Sequence, residues 1–237
     1  MNYKADDGML IESIGENFEV SITLSLGERS FEEYIDWYNA GADRYLLKHE
    51  TANPRLYSLI HNKQKLGDRI NHLQLLKAVG YQVGSGNIIG LPGQTIEDIA
   101  DDILLCKKFD CDMASFSPFI PSEDTPFRKV SKANVELTLK TMAVARLVLR
   151  DVHIPATTAL DSLIENGREK GLKVGANVVM PNYTPSPYRQ NYKIYEGKIC
   201  LSDDSRASES YLKLMIEGLR RKVSDRKGHS LKSATAN

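Results

Sequence analysis

The chain predicts an α/β fold: a partial TIM-type (β/α) barrel with about six of eight units, lacking the first two, with a short C-terminal helical extension. Three observations point there. Runs of β-branched and apolar residues alternate with longer helical stretches, the order that builds a parallel sheet with right-handed crossovers. Polar or glycine-rich strings follow five of these runs, where a parallel barrel collects its chemistry at the carboxyl ends of its strands. The chain has 237 residues, 41% of them hydrophobic, which is enough for one substantial core.

Taken in order, residues 7–18 read as a short helix leading straight into a central strand over Phe18–Leu26, which Gly27 ends. No upstream unit feeds that strand, so the missing units are expected to be the first two. Tyr34, Trp37 and Tyr38 form one apolar helical stripe, and Ile70, Leu73, Leu75, Leu76 and Val79 form another, stopped by Gly80. Strands are expected over Asp43–His49, Gln82–Gly90, Met113–Ile120, His153–Thr158 and Ala176–Met180. Thr95 suits the N-cap of a helix over Ile96–Phe109, with Glu97 and Asp98 complementing its dipole. Val135–Leu149 is the longest apolar helix, and a last helix is expected near Ser208–Arg221. The expected division is a partial barrel over 1–199, an appendage over 200–222 and a flexible basic tail over 223–237.

Charge and composition exclude several function classes. Lys and Arg number 31 and Asp and Glu 31, so the basic excess of a nucleic-acid binder is missing. No run approaches the roughly 20 apolar residues of a membrane span. The first residues lack the basic start and apolar run of a secretory signal, which makes a cytoplasmic protein the default. Cys106, Cys111 and Cys200 are too scattered for a disulfide framework or a zinc site. Cys106 falls in an apolar helix and reads as a core residue.

Several side chains could carry chemistry. Glu50, at the end of the second strand, can accept two hydrogen bonds from a ribose diol or hold an amine; it could equally open the next helix as a dipole-compensating acid. Arg69 can grip a carboxylate through two parallel bonds, or pair with Asp68 or another nearby acid. Gly84, Gly86, Gly90 and Gly93 leave room for a flat ligand against the backbone, and the turn after Gly90 leads into a helix whose N-terminal amides face the pocket; a tight structural turn explains Pro92-Gly93 as well. Thr23, Ser25, Thr157 and Thr158 are hydroxyls at strand ends, and threonine is also an ordinary strand residue. His49 has no second histidine at ligand spacing and reads as packed. Tyr188, Arg189, Tyr192 and Tyr195 could close a pocket or pack a rim.

Together these strings resemble a known family. The matching text includes Thr23-Leu24-Ser25-Leu26-Gly27-Glu28, His49-Glu50-Thr51-Ala52-Asn53-Pro54, Gly90-Leu91-Pro92-Gly93-Gln94-Thr95 and Pro118-Phe119-Ile120-Pro121. It continues through Ile154-Pro155-Ala156-Thr157-Thr158-Ala159 and Gly175-Ala176-Asn177-Val178-Val179-Met180-Pro181-Asn182 to Cys200. The chain thus resembles the HydE-type [FeFe]-hydrogenase maturases, radical S-adenosylmethionine enzymes related to biotin synthase. The resemblance implies a barrel that binds S-adenosylmethionine, with Glu50 on the ribose hydroxyls and Arg69 on the methionyl carboxylate, near Lys48. It places Ser85 and Asn87 of the Gly84–Gly90 strand, with Phe119 and Ile120, at the adenosyl group. Thr23, Thr157, Thr158, Met180, Tyr192 and Tyr195 would line a substrate cavity. A [4Fe-4S] cluster would reduce the sulfonium and release a 5′-deoxyadenosyl radical, the cofactor supplying the difficult chemistry. An organometallic iron precursor or other small molecule would be the substrate, and other hydrogenase maturation proteins the partners; no nucleic acid or membrane is implied.

Three departures qualify this. No Cys-x-x-x-Cys-x-x-Cys motif occurs in the chain, so cluster ligands are expected to be absent and the chain alone to be an inactive fragment, with no metal site or catalytic residue of its own. Lys48 stands where many relatives have arginine, a point charge in place of a fork. Ser208 and Tyr211 stand where an accessory cluster starting at Cys200 would need ligands. The rivals are a fragment of a methylornithine synthase or biotin synthase-like enzyme, and a non-enzymatic half-barrel binding module, whose open sheet edge would invite aggregation.

Overall fold

The computed structural model describes residues 3–189, 191 and 205–232. Its elements run α1 (Tyr3–Asn17), β1 (Ile22–Leu24), α2 (Phe31–Asn39), β2 (Ala42–Leu46), α3 (Pro54–Ile60), α4 (Leu66–Val79), β3 (Gln82–Ile89), α5 (Ile96–Lys108), β4 (Met113–Pro118) and α6 (Val135–Leu149). They continue with β5 (Pro155–Ala156), α7 (Thr158–Leu163), α8 (Gly167–Val174), β6 (Val178–Val179), α9 (Ser186–Arg189) and α10 (Ser205–Gly218). One sheet has the order β1-β2-β3-β4, and β5 pairs with β6 in a second. The pairs β1–β2, β2–β3 and β5–β6 are parallel. The fold is therefore α/β with strand–helix units in series, as the alternation predicts. No helix among the described residues is long and apolar enough to cross a membrane.

Strands are shorter at their ends than the apolar runs suggest. Phe18 and Val20 are exposed, and β1 starts only at Ile22, whose N–H donates to Asp43 Oδ2 (2.8 Å). β5 shrinks to two residues; its Pro155 has no N–H to give to a ladder.

The chain forms two compact units. The first comprises Met1–Asn87, Ile96–Ser115 and Asp225–Asn237. Its core is aromatic: Tyr34, Tyr45 and Tyr81 are buried with Trp37, Leu73, Leu76 and Val83. The rings meet edge to face, Tyr34 with Tyr45 at 5.2 Å and Tyr45 with Tyr81 at 5.6 Å, the arrangement their quadrupoles favour. Each buried hydroxyl is satisfied: Tyr34 accepts from Arg29 N–H, Tyr45 donates to Gly27 O and Tyr81 to Tyr34 O. Tyr38, expected on the buried stripe, is 38% exposed, with its ring edge on Tyr81. A capping box between Ser30 and Glu33 starts α2.

Residues expected as part of a flexible tail are tied to the starts of three strands. Arg44 donates to Gly228 O (2.8 Å), Ser230 N–H to Gln82 Oε1 (2.7 Å), and Lys232 Nζ to Cys111 O (2.7 Å). Lys232 also pairs with Asp110 (2.5 Å) and holds that carboxyl below its usual range. These are long-range polar bonds, which leave no apolar periodicity to read.

The second unit comprises Ile88–Thr95 and Phe116–Ser224. Asn134 caps α6 by accepting from Glu136 and Leu137 N–H. Near its other end, Arg146 staples the unit by donating to Gly175 O, Val152 O and Asn177 Oδ1.

Candidate ligand-binding site

Beyond β2 the chain runs extended to Glu50, which takes φ +63°. Thr51 N–H donates to His49 O (2.7 Å), closing a γ-turn of the rare positive-φ kind centred on Glu50. Glu50 N–H donates to Gly86 O (2.9 Å), and Glu50 bridges to Asn87 in parallel register. A left-handed backbone at a non-glycine residue costs about 1–2 kcal/mol, and such strain concentrates at ligand sites. Glu50 does not open a helix: α3 begins at Pro54, with Asn53 accepting from Arg55 and Leu56 N–H as N-cap. Thr51 Oγ1 accepts from Asn53 N–H (3.2 Å) and fixes the approach to that cap.

Four charged side chains meet at this turn. Lys48 Nζ lies 3.1 Å from Glu50 Oε2. Arg69, from α4, donates through Nε to Glu28 Oε1 (2.6 Å) and through Nη1 to Lys48 O (2.6 Å). Its acidic partner is thus Glu28, in the loop after β1, and not the adjacent Asp68. Sequence reasoning quoted Glu28 without giving it a role; its position just after a strand and a glycine was the available signal.

On its other side Arg69 meets aromatic rings. Its guanidinium lies 5.9 Å from the centroid of the Tyr57 ring, which stacks on His61 at 4.4 Å. The Tyr57 hydroxyl and His61 Nε2 are buried without a hydrogen-bond partner among the described residues. Burial, with Arg69 adding to it, pushes the His61 imidazole below its ordinary value, and burial raises the Tyr57 phenol. Neutral, unpaired donors and acceptors therefore lie beside an acid–base array. Such an array can hold a ligand with a carboxylate and a diol or amine, through a guanidinium fork and a carboxylate.

The neighbouring strand β3 contributes differently from what its sequence suggests. Ser85 and Asn87 are buried and engaged: Ser85 Oγ contacts His49 Nδ1 (2.9 Å) and donates to Leu47 O (3.0 Å), while Asn87 Nδ2 donates to Asp102 Oδ2 (2.5 Å). With a side-chain period of 2, Gly84 and Gly86 face the opposite way. A Cβ on Gly86 would lie 2.0 Å from Ser115 O, so this glycine admits the backbone of β4. His49 is fully buried, the packed histidine expected of it.

The second unit holds the remaining predicted residues. In the Gly90–Thr95 string, Gln94 Oε1 accepts from Gly90 and Leu91 N–H, and its Nε2 donates to Ile88 O. The turn's own side chain thus satisfies two of the turn's own amides. Phe119 and Ile120 are half-buried, Phe119 edge-on to Phe127. Thr157 is buried with no hydrogen-bond partner for its hydroxyl among the described residues. Thr158 Oγ1 accepts from Arg168 (3.2 Å). Met180 is 46% exposed, and Thr23, in the first unit, is exposed. Arg189 is buried and donates to Thr184 O. Tyr192, Tyr195 and Cys200 lie outside the described residues.

Cys106 and Cys111 do not fit an iron–sulfur cluster. Both are buried, and a hydrogen bond with Cys111, then burial, pushes the Cys106 thiol well above its ordinary range. Among the described residues no three His, Cys, Asp or Glu side chains group to hold a metal ion.

The Radical SAM superfamily profile matches residues 2–106. The chain is 50% identical over 203 residues to the [FeFe] hydrogenase maturase subunit HydE of Thermotoga maritima, covering 86% of this chain and 58% of that protein. It is 27% identical over 170 residues to the 3-methylornithine synthase of Methanosarcina acetivorans, covering 72% of this chain and 48% of that protein. Among solved structures, methylornithine synthase (PylB) superposes with a TM-score of 0.77 at 24% identity, covering 99% of this chain and 68% of that one. That likeness carries the fold, a partial TIM-type barrel. The chain spans about half the length of the curated relatives it matches. By its half-identity to HydE and its superfamily match, the chain is a HydE-like polypeptide of the radical SAM superfamily.

Proposed function

We propose that this chain carries the S-adenosylmethionine-binding part of a HydE-type maturase acting in [FeFe]-hydrogenase assembly. The observation that carries the reading is the convergence of Glu28, Lys48, Glu50 and Arg69 within one unit, at the ends of β1 and β2. Glu50 would accept the ribose hydroxyls, and Arg69 would hold the methionyl carboxylate by its fork. Lys48, already paired with Glu50, orients that carboxylate. The rings of Tyr57 and His61 would lower the local polarity and strengthen these charged bonds. When bound, S-adenosylmethionine supplies a sulfonium whose reductive cleavage starts radical chemistry. The sequence holds no Cys-x-x-x-Cys-x-x-Cys motif, so the reading for this chain is binding and orientation. Within the second unit, the buried Thr157 and its neighbour Thr158 are proposed to meet a substrate. A small-molecule substrate and other hydrogenase maturation proteins as partners belong to the same proposal.

Identity of 50% to HydE against 27% to 3-methylornithine synthase favours this reading over the methylornithine one. Isothermal titration with S-adenosyl-L-homocysteine tests it without a cluster. Glu50→Gln and Arg69→Lys should each weaken binding about ten-fold, the usual cost of one charged hydrogen bond. Equal binding by both variants and the parent chain would overturn the reading.

A further inference from the structure

Asp102 is fully buried on α5, on the same stripe as the buried Ile99, Ile103 and Cys106. A carboxylate in such a place is costly unless several donors satisfy it. Among the described residues its donors come from the surroundings of Glu50. Asp102 Oδ1 accepts from Ala52 N–H, two residues after Glu50. His49 Nε2, from the residue before it, lies 3.5 Å from the same oxygen. Oδ2 accepts from Asn87 Nδ2 (2.5 Å), and Asn87 is the bridge partner of Glu50 on β3. One turn earlier on α5, Asp98 accepts from Asn53 Nδ2 (2.8 Å). Thus the residue two after Glu50 and the residue opposite it both donate to one carboxylate, and the residue before it packs against that carboxylate.

This pattern answers a question the strain at Glu50 raises. A non-glycine residue persists in a left-handed turn only where its surroundings over-determine it. The turn's own bonds, Thr51 N–H to His49 O and Glu50 N–H to Gly86 O, set the local curl but do not fix it to the helix layer. We propose that Asp102 is a positioning residue: by clamping Ala52 and Asn87 it holds Glu50 in its strained turn and so sets affinity for the ribose diol of an adenosyl ligand. This rests on the proposed S-adenosylmethionine site. Asp102 touches no ligand itself; it acts through Glu50.

The test combines ligand binding with amide exchange on the full chain. In Asp102→Asn, exchange at the Glu50 and Ala52 amides should quicken about ten-fold or more, while the Tyr45 amide in β2 keeps its parent rate. S-Adenosyl-L-homocysteine affinity should fall about ten-fold in Asp102→Asn and in Glu50→Gln, and the double variant should fall no further than Glu50→Gln alone. L-Methionine, which has no ribose, should bind Asp102→Asn as it binds the parent chain. A fold-wide loss would weaken both ligands and add to Glu50→Gln, and that result would overturn the proposal, as would unchanged exchange at residues 50 and 52. If Glu50→Gln binds S-adenosyl-L-homocysteine as the parent does, the ligand assignment falls, and the exchange rates still decide whether Asp102 pins the turn. Should Asp102→Asn not fold, Asn87→Ala removes one donor and leaves α5 unchanged, and the same exchange and coupling results are expected.

Discussion

Two turns in this chain have the same look in sequence, a polar string after a strand, and opposite constructions in space. The Gly90–Thr95 turn closes on itself: Gln94 bonds Gly90, Leu91 and Ile88, and glycine supplies the positive φ at residues 90 and 93. The His49–Asn53 turn puts a charged residue where glycine would be easier, and its support comes from β3 and α5. The first turn is complete without anything else. In the second, the Glu50 carboxylate is held on a strained backbone beside Lys48 and Arg69, an arrangement with a stability cost and a use in binding.

The sharpest way to break the contrast is at the strand that backs the second turn. Gly86→Ala would place a Cβ 2.0 Å from Ser115 O at φ +148°, and overpacking with backbone strain should cost about 3 kcal/mol or more by urea denaturation. Next in size, Gln94→Ala removes three hydrogen bonds from the self-closed turn and should cost about 1–2 kcal/mol. It should leave S-adenosyl-L-homocysteine affinity as it was, because that turn is not proposed to grip the ligand.

Glu50→Gly should do the reverse. Relief of the left-handed strain should leave the chain as stable as the parent or more stable by up to about 1 kcal/mol, while titration shows ligand binding lost. The smallest effect concerns His61. Burial first, then Arg69, depresses its folded pKa, so its contribution to stability is in full above the free imidazole value near ~6.5. It is lost as the pH falls toward the folded value, because the unfolded chain then binds the extra proton. His61→Gln should flatten the decline of the unfolding midpoint on acidification across that window.

Local signals carried much of the fold. Val135–Leu149 was legible to its ends because an apolar run meets an asparagine cap at 134, and the strand–helix alternation held throughout. Glu50 and Arg69 were legible as chemistry by residue type and position. Their partners were not: Glu28 is 41 residues from Arg69 and Asp102 is 50 from Ala52, and no period joins such residues. Asp102 did leave one trace, an acid on an apolar helical stripe. The glycines of β3 misled for a related reason. Two of them admit neighbouring side chains or backbone, a packing demand that looks the same in sequence as room for a ligand. The tail misled because polar anchoring at Gly228, Ser230 and Lys232 resembles a solvated end.

A crystal structure of the chain with S-adenosyl-L-homocysteine bound tests the central claim most directly. The account predicts the ribose hydroxyls on the Glu50 carboxylate and the amino-acid carboxylate on the Arg69 guanidinium, with Glu50 still in its left-handed turn. A ligand seated away from both side chains, or a Glu50 that relaxes to an ordinary backbone when the ligand binds, would contradict it.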